Sequence, residues 1–99
     1  MPYVISFFDD PDVFEKKKEL RAVHLEYVSA NAGKIIASGG FFPDEDDFPV
    51  GGLIILDVEN RQQAVEYIEN DPFFVHRVFS DYKVDRWKKF VFDHKRVTV

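Results

Sequence analysis

An α+β domain of order β-α-β-β-α-β with an antiparallel sheet is what this 99-residue sequence predicts, on three observations. Apolar, β-branched runs of strand length stand at residues 3–8, 34–38 and 52–58, and strand-like residues return over 81–92. Two stretches with apolar residues three and four apart, one long and one short, separate the first strand from the second and the third from the fourth. No linker, repeat or biased tract interrupts the pattern, so residues 1–99 read as a single domain.

Residues 3–8 run into Asp9-Asp10-Pro11, a strand followed by a turn signal. Asp12 stands three residues before Glu15, a capping-box spacing, and opens a helix from Val13 to about Ala32, closed by Gly33 as its C-terminal cap. Leu20, Val23, Tyr27, Val28 and Ala30 form its stripe toward the sheet, and His24 lies on that stripe. Residues 34–38 make a brief strand leading into Gly39-Gly40 and Phe41-Phe42. After an acidic loop between Pro43 and Pro49, residues 52–58 form a third strand, apolar enough to be central.

Asn60 and Gln63 are a cap-like pair before the short helix carrying Ala64, Val65, Tyr67 and Ile68, which stops around Asn70-Asp71-Pro72. A further helical turn fits residues 73–80, and the last strand, 81–92, is expected to bulge near Trp87. Right-handed crossovers of this order place both helices on one sheet face, the ferredoxin-like arrangement. The third and fourth strands carry apolar residues on both faces, so a second copy of the chain is expected to cover the open one, giving a homodimer.

Composition narrows the function. Eighteen acidic against thirteen basic residues leave a net charge of −5, which disfavours phosphate backbones and makes nucleic acid an unsuitable partner. The aromatic and basic motif of RNA-binding domains with this strand order is also missing from Leu53-Ile54-Ile55-Leu56. The absence of cysteine removes disulfides, thiolate nucleophiles and Cys-based metal sites. The N-terminal residues read neither as a signal nor as a membrane span, so no membrane partner and a cytoplasmic location are expected. Aromatic residues make up 16% of the chain, more than a core this small needs, and point to a cleft or interface.

Few residues carry chemistry. An imidazole titrates near neutrality, so His24 on an apolar stripe is a candidate acid–base group; the plain alternative is a core histidine bonded to a backbone carbonyl. Arg21, one turn earlier, is placed to neutralise an anionic substrate. Asp71 is held rigidly before Pro72, and this fold is able to bring it beside His24, where it would fix the imidazole tautomer; alternatively it only caps the turn. Ser38, before Gly39-Gly40, lacks the setting of a nucleophile elbow and reads at most as a binding residue. Residues 44–47 lack the ligand alternation of a calcium loop, and His24, His76 and His94 lack metal-ligand spacing, so no metal and no organic cofactor are expected.

Taken together, Tyr3-Val4-Ile5, Arg21-Ala22-Val23-His24-Leu25, Ser38-Gly39-Gly40, Asp71-Pro72-Phe73 and Trp87-Lys88-Lys89-Phe90 resemble the YciI-like (YCII-related) family over nearly the whole chain. The resemblance implies a dimeric α/β-barrel assembly of ferredoxin-like domains, with a cleft in which His24 and Asp71 match an acid–base dyad. The sequence departs from the family pattern at His76-Arg77, where small residues are common after Asp-Pro-Phe, and at Gly39-Gly40, which leads into Phe41-Phe42 where a proline often follows the glycine. The expected function is proton transfer, elimination or isomerisation on a small organic molecule held near Arg21, Ser38 and Phe73, with catalysis by His24 and Asp71. The alternative is a noncatalytic small-molecule binding or sensing module built on the same cleft.

Overall fold

The structure, a computed structural model, describes residues 2–98. β1 (Pro2–Phe8) is followed by α1 (Phe14–Ala30), a 3-10 turn at Ala32–Lys34, β2 (Ile35–Phe41), β3 (Gly51–Asp57), α2 (Arg61–Glu69), the one-turn α3 (Pro72–Val75) and β4 (Lys83–Arg86). A hairpin of β5 (Val91–Phe92) and β6 (Lys95–Arg96) ends the chain. The sheet is antiparallel with order β2-β3-β1-β4, so β3 and β1 are central, as the apolar run predicts.

Alternation in the strands sorts their side chains. Tyr3 and Ile5 of β1 and Ile54 and Leu56 of β3 are buried with Ala64, Tyr67 and Ile68 of α2 and with Phe73, Val78 and Phe79, forming the core between sheet and helices. Phe7 stacks on Phe79 at 3.9 Å between ring centroids. The alternate residues Val4, Leu53 and Ile55 lie half-buried on the opposite face, where Phe8 and Phe41 stack on each other. α2 begins as its sequence indicates: Asn60 accepts the Gln63 N–H at 2.9 Å, and the Gln63 side chain accepts the Glu59 N–H at 2.9 Å.

Four expectations are corrected. Asp12 does not cap α1; it takes a left-handed φ of 59°, which turns Val13 into the core, and Val13 becomes an N-cap with no side-chain hydrogen bond. Gly33 does not close the helix either, because Asn31 ends it by folding its own amide back onto Tyr27 O at 2.8 Å, and Gly33 falls within the 3-10 turn. The inward stripe of α1 is Lys17, Leu20, His24, Tyr27 and Val28, while Val23 and Ala30 face solvent. β4 stops at Arg86 rather than continuing through Phe92; the separate hairpin beyond it turns on left-handed Asp93 and His94, a two-residue loop that matches strand twist.

No residue of α1 is fully buried, and among the elements it packs most closely against α3. The helix thus stands off the β2–β3 half of the sheet, and the gap between them is the cleft.

Candidate active site

The local sequence after α2 builds the centre of the cleft. Pro72 has no N–H and disfavours helix in the residue before it, so α2 ends at Asn70 and the chain restarts as α3 with Pro72 in its first turn. Asp71, extended between them, caps α3: its Oδ1 accepts the Phe73 N–H at 2.9 Å. The same oxygen lies 2.9 Å from Nδ1 of His24. Asp71 is only 1% exposed, and a carboxylate taken that far from water requires such donors. When the carboxylate accepts, the imidazole proton sits on Nδ1, and Nε2 keeps its lone pair with no protein partner among the described residues. Phe73, fixed by that cap, lies flat on His24 with ring centroids 3.9 Å apart and planes 5° from parallel.

Two tyrosines back this centre. Tyr27 donates to the carbonyl of Tyr67 at 2.6 Å, tying α1 to α2 one turn from His24. Burial, aided by the Asp71 carboxylate, pushes the Tyr27 phenol up to about 12, and burial raises Tyr67 further for the same reasons. Both phenols are therefore neutral hydrogen-bonding groups at any ordinary pH.

Two adjoining cavities of about 240 and 300 Å³ share Lys17, His24, Leu25, Pro49 and Phe73. The inner one is floored by Gly51, Gly52 and Ile54 of β3 and also lined by Ser38 and Asp71; the outer one reaches Arg21, Phe14 and Phe48. A Cβ on Gly52 would meet Phe7 Cζ at 2.9 Å, so this glycine is what lets the Phe7 ring lie along the floor. A larger cavity of about 490 Å³ shares only Tyr67 with the inner one and lacks any histidine, so size does not identify the reactive centre.

Of the residues singled out in the sequence, His24, Asp71 and Phe73 are in mutual contact, and Ser38 lines the same inner cavity. Arg21 is exposed at the outer cavity instead. His76 and Arg77 line neither cavity, so that departure from the family pattern lies outside the cleft. Sequence reasoning missed Lys17, which lines both cavities and is bonded to Asp9 and to the Pro49 carbonyl. Its spacing of seven from His24, two helical turns on one face, was the available signal. Among the described residues no group of three or more His, Cys, Asp or Glu is arranged to hold a metal ion, and no helix is long and apolar enough to cross a membrane.

The YCII-related domain matches residues 1–88 of this sequence. The chain belongs to the YCII-related family. Among solved structures it is similar to 5-chloro-2-hydroxyhydroquinone dehydrochlorinase from Burkholderia phenoliruptrix in complex with 2,5-dihydroxybenzoquinone, with a TM-score of 0.82 and 26% identity, covering 89% of this chain and 94% of that one. That neighbour shares the dimeric α/β-barrel type of fold that the YCII-related match implies. No curated protein matches the sequence.

Proposed function

We propose that this YCII-related protein is a small cytoplasmic enzyme that moves a proton with His24, oriented by Asp71, in an elimination or isomerisation of a small oxygenated organic molecule. The observation that carries this reading is the 2.9 Å contact between His24 Nδ1 and a buried carboxylate, which leaves Nε2 as the free base of a residue lining both cavities. Nε2 takes a proton from a substrate O–H or C–H. The resulting imidazolium is stabilised by Asp71, and the proton then passes to the departing group or to another atom of the substrate. Such positioned proton transfer contributes roughly 10²–10⁴-fold without any cofactor. The activity of the structural neighbour, a dehydrochlorination, is an elimination of the same kind, and its bound quinone is a planar oxygenated ring that suits a cleft walled by Phe7, Phe73 and Phe48. Ser38 and Arg21 bind the substrate from the inner and outer cavities.

The test is turnover of a panel of chlorinated hydroxyhydroquinones, read as chloride release, by the wild type and His24→Gln. Release by the wild type that His24→Gln abolishes supports the reading; release that the substitution leaves intact sinks it. Binding without turnover in either protein favours a sensing module. The apolar face carrying Val4, Leu53, Ile55 and the Phe8–Phe41 stack supports a homodimer closed sheet to sheet, and light scattering that gives a strict monomer at micromolar concentration removes it.

A further inference from the structure

Lys17 is held in an unusual way for a lysine on the second turn of a helix. Its side chain is 19% exposed, its ammonium lies 2.7 Å from Asp9 Oδ2 and 2.8 Å from the Pro49 carbonyl, and it sits 5.7 Å from the centre of the Phe73 ring. An ammonium has three N–H donors, and these two acceptors occupy two. The third has no partner among the described residues, in a side chain that lines both cavities beside His24. The cost of drawing a cation and a carboxylate out of water is seldom recovered by their mutual attraction, and Asp9 Oδ1 is itself buried without a partner, so stability alone does not account for the pair.

We propose that Lys17 is the oxyanion-binding residue of the cleft, selecting substrates that carry an ionised oxygen on a small planar molecule next to the position His24 works on. The proposal rests on the reading of this cleft as a proton-transfer site and adds the substrate class. Removing a proton from a phenolic oxygen, or from carbon beside a carbonyl, leaves negative charge on oxygen. A fixed N–H in a partly dry cleft stabilises that charge without reorganising. Asp9 and Pro49 hold the ammonium in place, and the exposed Lys18 and Arg21 at the outer cavity extend the positive field toward the mouth.

The experiment measures affinity for two probes by calorimetry: 2,5-dihydroxybenzoquinone, whose ring hydroxyls are ionised at neutral pH, and its uncharged 2,5-dimethoxy ether. The wild type is expected to prefer the anion by about tenfold or more, the scale of a desolvated charge contact. Lys17→Met is expected to abolish that preference, Lys17→Arg to restore part of it, and Lys16→Met, at an exposed position of α1 outside both cavities, to leave it unchanged. A purely structural lysine would weaken both probes alike when replaced, so a preserved preference in Lys17→Met overturns the proposal, as does a wild type that fails to bind the anion at millimolar concentration. If Lys17→Met does not fold, the Asp9→Asn/Lys17→Met double variant, which strands no buried charge, gives the same comparison. His24→Gln is expected to keep the preference while losing turnover, so failure of the acid–base reading and failure of this one are separately visible.

Discussion

One carboxylate oxygen, Asp71 Oδ1, lies 2.9 Å from both His24 Nδ1 and the Phe73 backbone nitrogen. Cap and imidazole support are therefore a single contact, and Asp71 substitutions separate its parts. Asp71→Asn keeps an acceptor for the Phe73 N–H and is expected to cost about 1 kcal/mol of stability while sharply lowering turnover. Asp71→Ala strands the buried Phe73 N–H and the part-buried His24 Nδ1 and is expected to cost roughly 2–4 kcal/mol. Urea denaturation beside chloride-release assays checks both, and equal stability losses would show that the cap is not shared.

Phe73 stacks on His24, carries the Lys17 ammonium 5.7 Å from its ring centre, and is 7% exposed within the core cluster. Phe73→Leu keeps most of the apolar volume, so a loss of about 1–3 kcal/mol is expected, together with a disproportionate fall in kcat because the imidazole loses its flat support. A fall in kcat no larger than the loss of folded protein would assign Phe73 to packing alone.

The contact between His24 and Asp71 was legible through the family resemblance, because the residues alone left open whether two positions 47 apart in sequence meet. Helical periodicity put His24 on the inward face of α1, and Asp-Pro after a short apolar helix fixed a turn at Asp71. Lys17 was not legible in the same way. Its burial depends on Asp9 at the end of β1 and on Pro49 returning over it from the far side of an acidic loop, and neither approach leaves a mark on the helix itself. Asp12 misled for a related reason: the spacing to Glu15 was right for a cap, but burying Val13 decided the backbone. β4 ends at Arg86, where it runs out of partner beside Tyr3 at the start of β1, and Val91–Phe92 pairs instead with Lys95–Arg96 in a hairpin that turns on left-handed Asp93 and His94.

The floor of the cleft depends on an absent side chain. A methyl group at position 52 would meet Phe7 Cζ at 2.9 Å and the Gly39 carbonyl at 3.3 Å, so Gly52→Ala has to displace the Phe7 ring that stacks on Phe79. Destabilisation of roughly 1–3 kcal/mol is expected, with weaker binding of the quinone probes as the ring moves into the inner cavity. Unchanged stability and affinity would mean that β3 and Phe7 part without strain, and thermal melts with calorimetry decide it.

The last expectation concerns alkaline pH. The Tyr27 phenol is held at about 12 by burial and by Asp71, against about 10 in an unfolded chain, so above pH 10 the unfolded state ionises first and gains on the folded one. The stabilisation belonging to this group is complete below about pH 10 and is lost as pH rises through about 12; after solvent screening it is on the order of 1 kcal/mol. Tyr82, raised to about 12 by burial and its bond to Glu69, adds a slope in the same window that Tyr27→Phe leaves in place. Below pH 10 the variant lacks the hydrogen bond to the Tyr67 carbonyl and is expected to be about 1 kcal/mol less stable than the wild type. Across the alkaline window it has one fewer phenol to ionise on unfolding, so its stability falls less steeply and the gap closes. Urea denaturation of both proteins at steps between about pH 8 and pH 12 measures this directly, and a gap that stays constant over the range would mean that the Tyr27 hydroxyl titrates alike in folded and unfolded chains.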